Sequence, residues 1–198
     1  MKILILCLTL LLPCWATAGD IPQVCREAEA LSGMPDANAE KELGLYEQCL
    51  KTELPPLVRA SALFNMAVIY QDMGQWRKAL EHYEASAHSN PEDFQAYSNM
   101  AWILATCPVA SVRDSEWALA LAGKACTLSA NLGTLDTYAA ALARAGQFDK
   151  AASMQRKLVD QARQADGFPP EITKEMKERL DLYASGSPYT ETIPSATY

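Results

Sequence analysis

Residues 60–91 read ASALFNMAVIYQDMGQWRKALEHYEASAHSNP, and the Asn65-Met66-Ala67 inside them returns 34 residues on as Asn99-Met100-Ala101. Both copies lie in apolar stretches with helical spacing. A period of this length belongs to a helix–turn–helix unit that cannot bury its apolar face alone, so units stack and leave one side free to bind. The stretch predicts helix A over 60–73, a turn at Gly74-Gln75, helix B over 76–89 and a stop at Asn90-Pro91. Gly74 accepts the left-handed backbone that a tight helix exit needs. Ala67 and Ala79 are small enough for close approach, Tyr70, Leu80 and Tyr83 fill the interface, and Pro91 cannot continue the helix.

Working outward, a second unit spans 94–131, with Tyr97, Met100, Ala101 and Leu104 in the register of Leu63, Met66, Ala67 and Tyr70. Pro108 replaces the turn glycine there, and residues 108–113 lengthen the loop before Asp114 or Ser115 caps a helix over 116–128. A third unit, 132–165, places helix A over 135–145, the turn at Gly146-Gln147 and helix B from Phe148. Before these units, residues 19–58 read as a degenerate helical hairpin, and after them residues 170–184 read as a capping helix with Ile172, Met176, Leu180 and Tyr183 along one stripe. The Ser/Thr/Pro-rich remainder, 185–198, is expected to be a mobile tail.

The small residues Ala67/Ala101/Ala139 and Ala79/Ala118/Ala151, the large ones Tyr70/Leu104/Leu142, and Gly74, Gly146 and Pro91 resemble the tetratricopeptide repeat family over about residues 60–162. The resemblance implies an all-α fold, a right-handed superhelical solenoid of tetratricopeptide units with a C-terminal capping helix. It also implies a concave groove lined by helix A side chains: Phe64, Asn65, Val68 and Gln71 in the first unit, Ser98, Asn99, Trp102 and Thr106 in the second, Asp136, Thr137, Ala140 and Arg144 in the third. By the same resemblance Asn65 and Asn99 hydrogen-bond a peptide backbone. The basic residues with which carboxylate-clamp relatives hold a chain end are missing from the first two units, so apolar and aromatic contacts are expected, with Trp102 as the main anchor.

At the N-terminus, Lys2, the apolar run 3–12 and Ala16-Thr17-Ala18 read as an export signal over 1–18, cleaved after Ala18 to give a periplasmic or secreted protein. Pro13 argues against lipid anchoring at Cys14. Losing Lys2 and no acid takes the net charge from −7 to −8, which repels phosphate backbones; nucleic acid is not the expected partner. No later segment is apolar enough to span a membrane.

Cys25, Cys49, Cys107 and Cys126 remain after cleavage. An antiparallel hairpin brings Cys25 and Cys49 level, within disulfide reach, whereas Cys107 at the end of a helix A and Cys126 well into helix B fail that test. His82 and His88 are six residues apart on one helix, about 120° off a shared face, so they form no metal pair. No phosphate loop, serine elbow or Cys–His pair occurs. The sequence therefore predicts a non-enzymatic adaptor or scaffold of the bacterial envelope, without cofactor or metal, that holds a protein or peptide partner in its groove. Docking through a solenoid end or self-association is the alternative within binding proteins, and an enzyme the alternative from another class.

Overall fold

The computed structural model describes residues 21–32, 34 and 38–192. The expected export signal lies outside the described residues, as do residues 33 and 35–37 of the expected N-terminal hairpin. Among the described residues all regular structure is helical, with nine α-helices and one 3-10 turn.

The chain divides into two compact units, Met1–Leu54 and Pro55–Tyr198. In the first, α1 (Gln23–Leu31) and α2 (Ala39–Leu50) pack on each other. Asn38 starts α2 by accepting the Lys41 N–H at 2.9 Å. Cys25 and Cys49 are joined, with Cα atoms 4.9 Å apart, as the hairpin geometry predicts. Both cysteines and Tyr46 are buried in this small core. A small hydrophobic core gains most from such a link, which for a loop of this length contributes about 3 kcal/mol.

The second unit is a solenoid of helix pairs: α3 (Pro56–Asp72) with α4 (Trp76–Ser89), α5 (Phe94–Thr106) with α6 (Ser115–Leu128), and α7 (Leu132–Arg144) with α8 (Phe148–Gln164), followed by α9 (Pro170–Ala184). The small marker residues are what lets each pair close: Ala67, Ala79, Ala101, Ala118, Ala139 and Ala151 are all 0% exposed. At these positions a larger side chain would push the helix axes apart. Gly74 and Gly146 have φ of 69° and 75°, and each turn is closed by the same two hydrogen bonds. In the first, Gly74 N–H donates to Gln71 O (2.9 Å) and Gln75 N–H to Tyr70 O (2.8 Å); in the second, Gly146 donates to Ala143 O (3.0 Å) and Gln147 to Leu142 O (2.9 Å). These are Schellman exits, and they satisfy carbonyls that the helix end leaves open.

The longer connection after α5 is ordered from within. A 3-10 turn, Ala110–Val112, buries Val112, Arg113 Nη1 donates to Cys107 O at 2.8 Å, and Asp114 caps α6 through the Trp117 N–H at 3.0 Å. Helix α7 starts at Leu132, three residues before the expected 135. Asn131 accepts the N–H groups of Gly133 and Thr134, while Thr134 Oγ1 accepts the Asn131 N–H at 3.0 Å. This capping box outweighs the low helix propensity of Gly133.

Helix α9 packs on α8 and reaches α7, much as α7 packs on α6 and α5. It therefore stands where the first helix of a further unit would stand. Its exit also repeats the pattern: Gly186 has φ 75°, its N–H donates to Tyr183 O (3.1 Å), and Ser187 N–H donates to Leu182 O (2.9 Å). Where Trp76 and Phe148 open a second helix after the earlier exits, Pro188 follows here and the chain runs on without helix.

Candidate functional site

The expected lining side chains of α3, α5 and α7 form two kinds of surface. Over α3 and the first turns of α5 they bond within the scaffold, to Tyr83 of α4 and to α7. Tyr83 is buried, donates its hydroxyl to Gln71 Oε1 at 3.0 Å and accepts from Asn99 Nδ2 at 3.1 Å. Phe64 meets the Tyr83 ring edge-on at 5.3 Å between centroids. Ser98 donates to Thr137 Oγ1 at 3.1 Å, tying α5 to α7 with Thr137 buried. Asn65 and Val68 lie beside this network, half-buried.

Over the end of α5, α7 and α9 the surface is different, because residues 187–192 lie across it. The expectation of a mobile tail from residue 185 gives way over this stretch; 193–198 lie outside the described residues. The Trp102 indole N–H donates to Glu191 Oε1 at 2.6 Å, and the Glu191 backbone N–H donates to Thr106 O at 2.8 Å. Arg144 donates to Tyr189 O at 2.7 Å and to Thr190 Oγ1 at 2.8 Å, while its Nε bonds the Ala105 carbonyl. Tyr189 stands 6.0 Å from the Trp102 ring. The Arg179 guanidinium lies 5.4 Å from the Trp102 centroid and 5.7 Å from that of Tyr189, so one cation serves two aromatic faces.

Arg179 is fixed from below. Its Nη2 donates to Asp136 Oδ2 at 2.7 Å, with the two side chains 7% and 14% exposed, and Asp136 Oδ1 also accepts from the buried Gln155 at 2.6 Å. Such a pair holds geometry more than it adds stability, since each charge loses most of its hydration. Burial pushes the Glu191 carboxyl above its ordinary range, against the opposing effects of the Trp102 hydrogen bond and the Arg179 charge. Burial also lowers the Arg144 guanidinium, with Arg113 adding repulsion.

Of the predicted lining residues, Trp102 and Arg144 hold the tail with their side chains, and Thr106 contributes only its carbonyl, its hydroxyl being turned back to Trp102 O at 2.8 Å. Asp136 and Thr137 correct the expectation of groove lining: the first is consumed by Arg179 and Gln155, the second is buried against Ser98. Ala140 is buried as well. Gln71 and Asn99 are spent on Tyr83. Arg179, Tyr189 and Glu191 escaped the sequence reading, because the tail's composition suggested mobility and α9 suggested a plain cap; the Gly186 exit was the available signal. Cys107 and Cys126 are reduced, Cys107 buried and Cys126 3.4 Å from Thr134 O. Among the described residues no cluster of three His, Cys, Asp or Glu could hold a metal ion, and no helix is long and apolar enough to cross a membrane.

The tetratricopeptide repeat family profile matches residues 62–93, the α3–α4 pair with its Gly74 exit. The chain is a tetratricopeptide repeat protein. Among relatives of this tetratricopeptide protein, the Photosystem I assembly protein Ycf3 of Synechococcus sp. (strain CC9902) is 33% identical over 75 residues, 38% of this chain and 43% of the relative. The same-named protein of Acaryochloris marina (strain MBIC 11017) is 35% identical over 74 residues, 37% and 45% of the two chains. The chain thus spans about half the length of the curated relatives it matches. The solved structure of the MamA RS-1 ArsTM double mutant superposes with a TM-score of 0.61 at 13% identity, covering 84% of this chain and 92% of that one, a likeness of fold alone. Tetratricopeptide arrays generally serve protein–protein interaction.

Proposed function

We propose that this protein is a non-enzymatic adaptor or scaffold of a bacterial envelope that receives an extended segment of a partner protein on the face of α3, α5 and α7. The observation that carries the reading is the tail itself: residues 187–192 are held at one end of that face, over α5 and α7 beside α9, through both backbone and side chains, with Trp102 at the centre. A surface that grips one extended segment has the donors and the aromatic anchor to grip another. Relatives named as assembly proteins favour a role in building a complex over a reaction. Placement outside the cytoplasm is supported by the Cys25–Cys49 link, which persists in oxidising compartments, and by the signal-like residues 1–18.

A photo-crosslinking side chain at Val68, on the proposed face, tests the binding reading, with Lys157 on the exposed side of α8 as control. The Val68 probe should capture one protein repeatedly from the native envelope and the Lys157 probe should not. Equal capture at both positions, or none at Val68, overturns the reading. N-terminal sequencing of the protein recovered from that fraction should begin at Gly19; a start at Met1 removes the export proposal.

A further inference from the structure

The tail is recognised in two ways that can be separated. Arg144 on the Tyr189 carbonyl and the Thr106 carbonyl on the Glu191 N–H grip main chain, and any extended segment could make those bonds. The Tyr189 ring against Arg179 and Trp102, and the Glu191 carboxylate on the Trp102 indole, are contacts to particular side chains two residues apart. Alternate residues of an extended chain point the same way, so Tyr-x-Glu places both groups toward the face, while Thr190, exposed, meets Arg144 through its hydroxyl and Thr192 remains exposed.

The tail is also built to come off. Helix α9 is closed by the Gly186 N–H and by the N–H of Ser187, the tail's first residue, so undocking the residues beyond Ser187 leaves that helix end satisfied. The docked carboxyl sits where burial penalises its charge, which keeps the tethered segment a weaker occupant than its contacts alone suggest.

Resting on the binding function proposed above, we infer that residues 187–192 are a tethered competitor, and that the partner segment exchanging with them is extended and presents an aromatic residue and an acid in the same Tyr-x-Glu spacing. A tether holds the tail at an effective concentration on the order of millimolar, so a partner segment must match its chemistry to displace it.

The test uses the full chain and a fluorescent peptide with the sequence of residues 187–192, read by anisotropy. Tyr189→Ser/Glu191→Ala releases the tail. Because a free ligand's apparent Kd scales inversely with the fraction of open sites, the released chain should bind the peptide about tenfold or more tighter than the parent. Trp102→Phe in the released chain should reverse the gain, as should Tyr→Ser or Glu→Ala in the peptide, while Glu→Gln in the peptide keeps binding. If the double variant loses its cooperative melt, Glu191→Ala alone in the full chain carries the test in the same direction. Equal affinity in parent and released chains, no binding in either, or binding indifferent to Trp102→Phe overturns the inference. A control peptide without tyrosine or acid separates the two levels. If it binds as well and is lost on Trp102→Phe, or if no peptide binds yet the Val68 crosslink persists, the Tyr-x-Glu chemistry falls and the binding face stands. Loss of the Val68 crosslink as well removes both.

Discussion

The two halves of the helix A face satisfy their polar groups in opposite directions. Over α3 and the start of α5, Gln71, Tyr83 and Asn99 bond among themselves, and Ser98 turns to Thr137. Over the end of α5, α7 and α9, Trp102 and Arg144 reach outward and are met by residues 187–192. A side chain already bonded to its neighbours must break that bond to take a ligand, and the exchange gains little. Groups aimed outward lose nothing of the kind. The contrast shows that equivalent repeat positions need not share a role: Asn99 and Trp102 lie within one turn of α5, yet one knits the scaffold and the other holds a segment.

The sharpest way to break the contrast is at the foundation of the outward half. Arg179→Ala leaves Asp136 buried without its cation and should cost about 3–5 kcal/mol in chemical denaturation, because an uncompensated buried charge is worse than none. The same variant removes the cation between Trp102 and Tyr189, so protease cleavage after Tyr189 should become fast. A loss under about 1 kcal/mol would show that water already reaches Asp136.

Trp102→Ala comes next. It should cost about 2 kcal/mol, below the range for a fully buried Trp since the ring is only half covered, and should free the tail. The indole packs on the core that α7 contributes to, and its outer side is covered by Arg179, Tyr189 and Glu191. If Trp102→Ala keeps the tail protected from protease, the grip lies in Arg144.

In the inward half, Tyr83→Phe removes one hydroxyl shared by Gln71 and Asn99 and should cost about 1 kcal/mol. Tail protection should not change. A change would mean that the two halves are coupled through α5.

The smallest effect concerns pH. The docked Glu191 carboxyl titrates above its value in a released tail, so docking is strongest below the released value and weakens as pH rises through the docked one. Arg179, Cys107 and Tyr189 are the groups that share its field. Protease protection of the tail should be somewhat greater near pH ~4.5 than at pH ~7, and Glu191→Gln, neutral throughout, should abolish the difference. Protection that rises with pH would show that attraction to Arg179 outweighs the loss of hydration.

What the sequence determined by itself is the local scaffold. The 34-residue register, the six marker alanines at 0% exposure, the exits at Gly74 and Gly146 and the level placement of Cys25 and Cys49 follow from helix periodicity, side-chain size and one backbone angle. Each of these acts over a few residues, or repeats at a fixed step, and so can be read along a line. The Asp136–Arg179 pair, the Arg144 contacts to Tyr189 and Thr190 and the Trp102–Glu191 bond join residues 43, 45, 46 and 89 positions apart, with no period to announce them. Only the tertiary structure decided them, because stacking α9 on α8 had first to bring the Gly186 exit beside α5 and α7; once there, a segment with the composition of a loose tail met an indole donor and the Arg144 Nη2, beside an Arg179 already paired with Asp136.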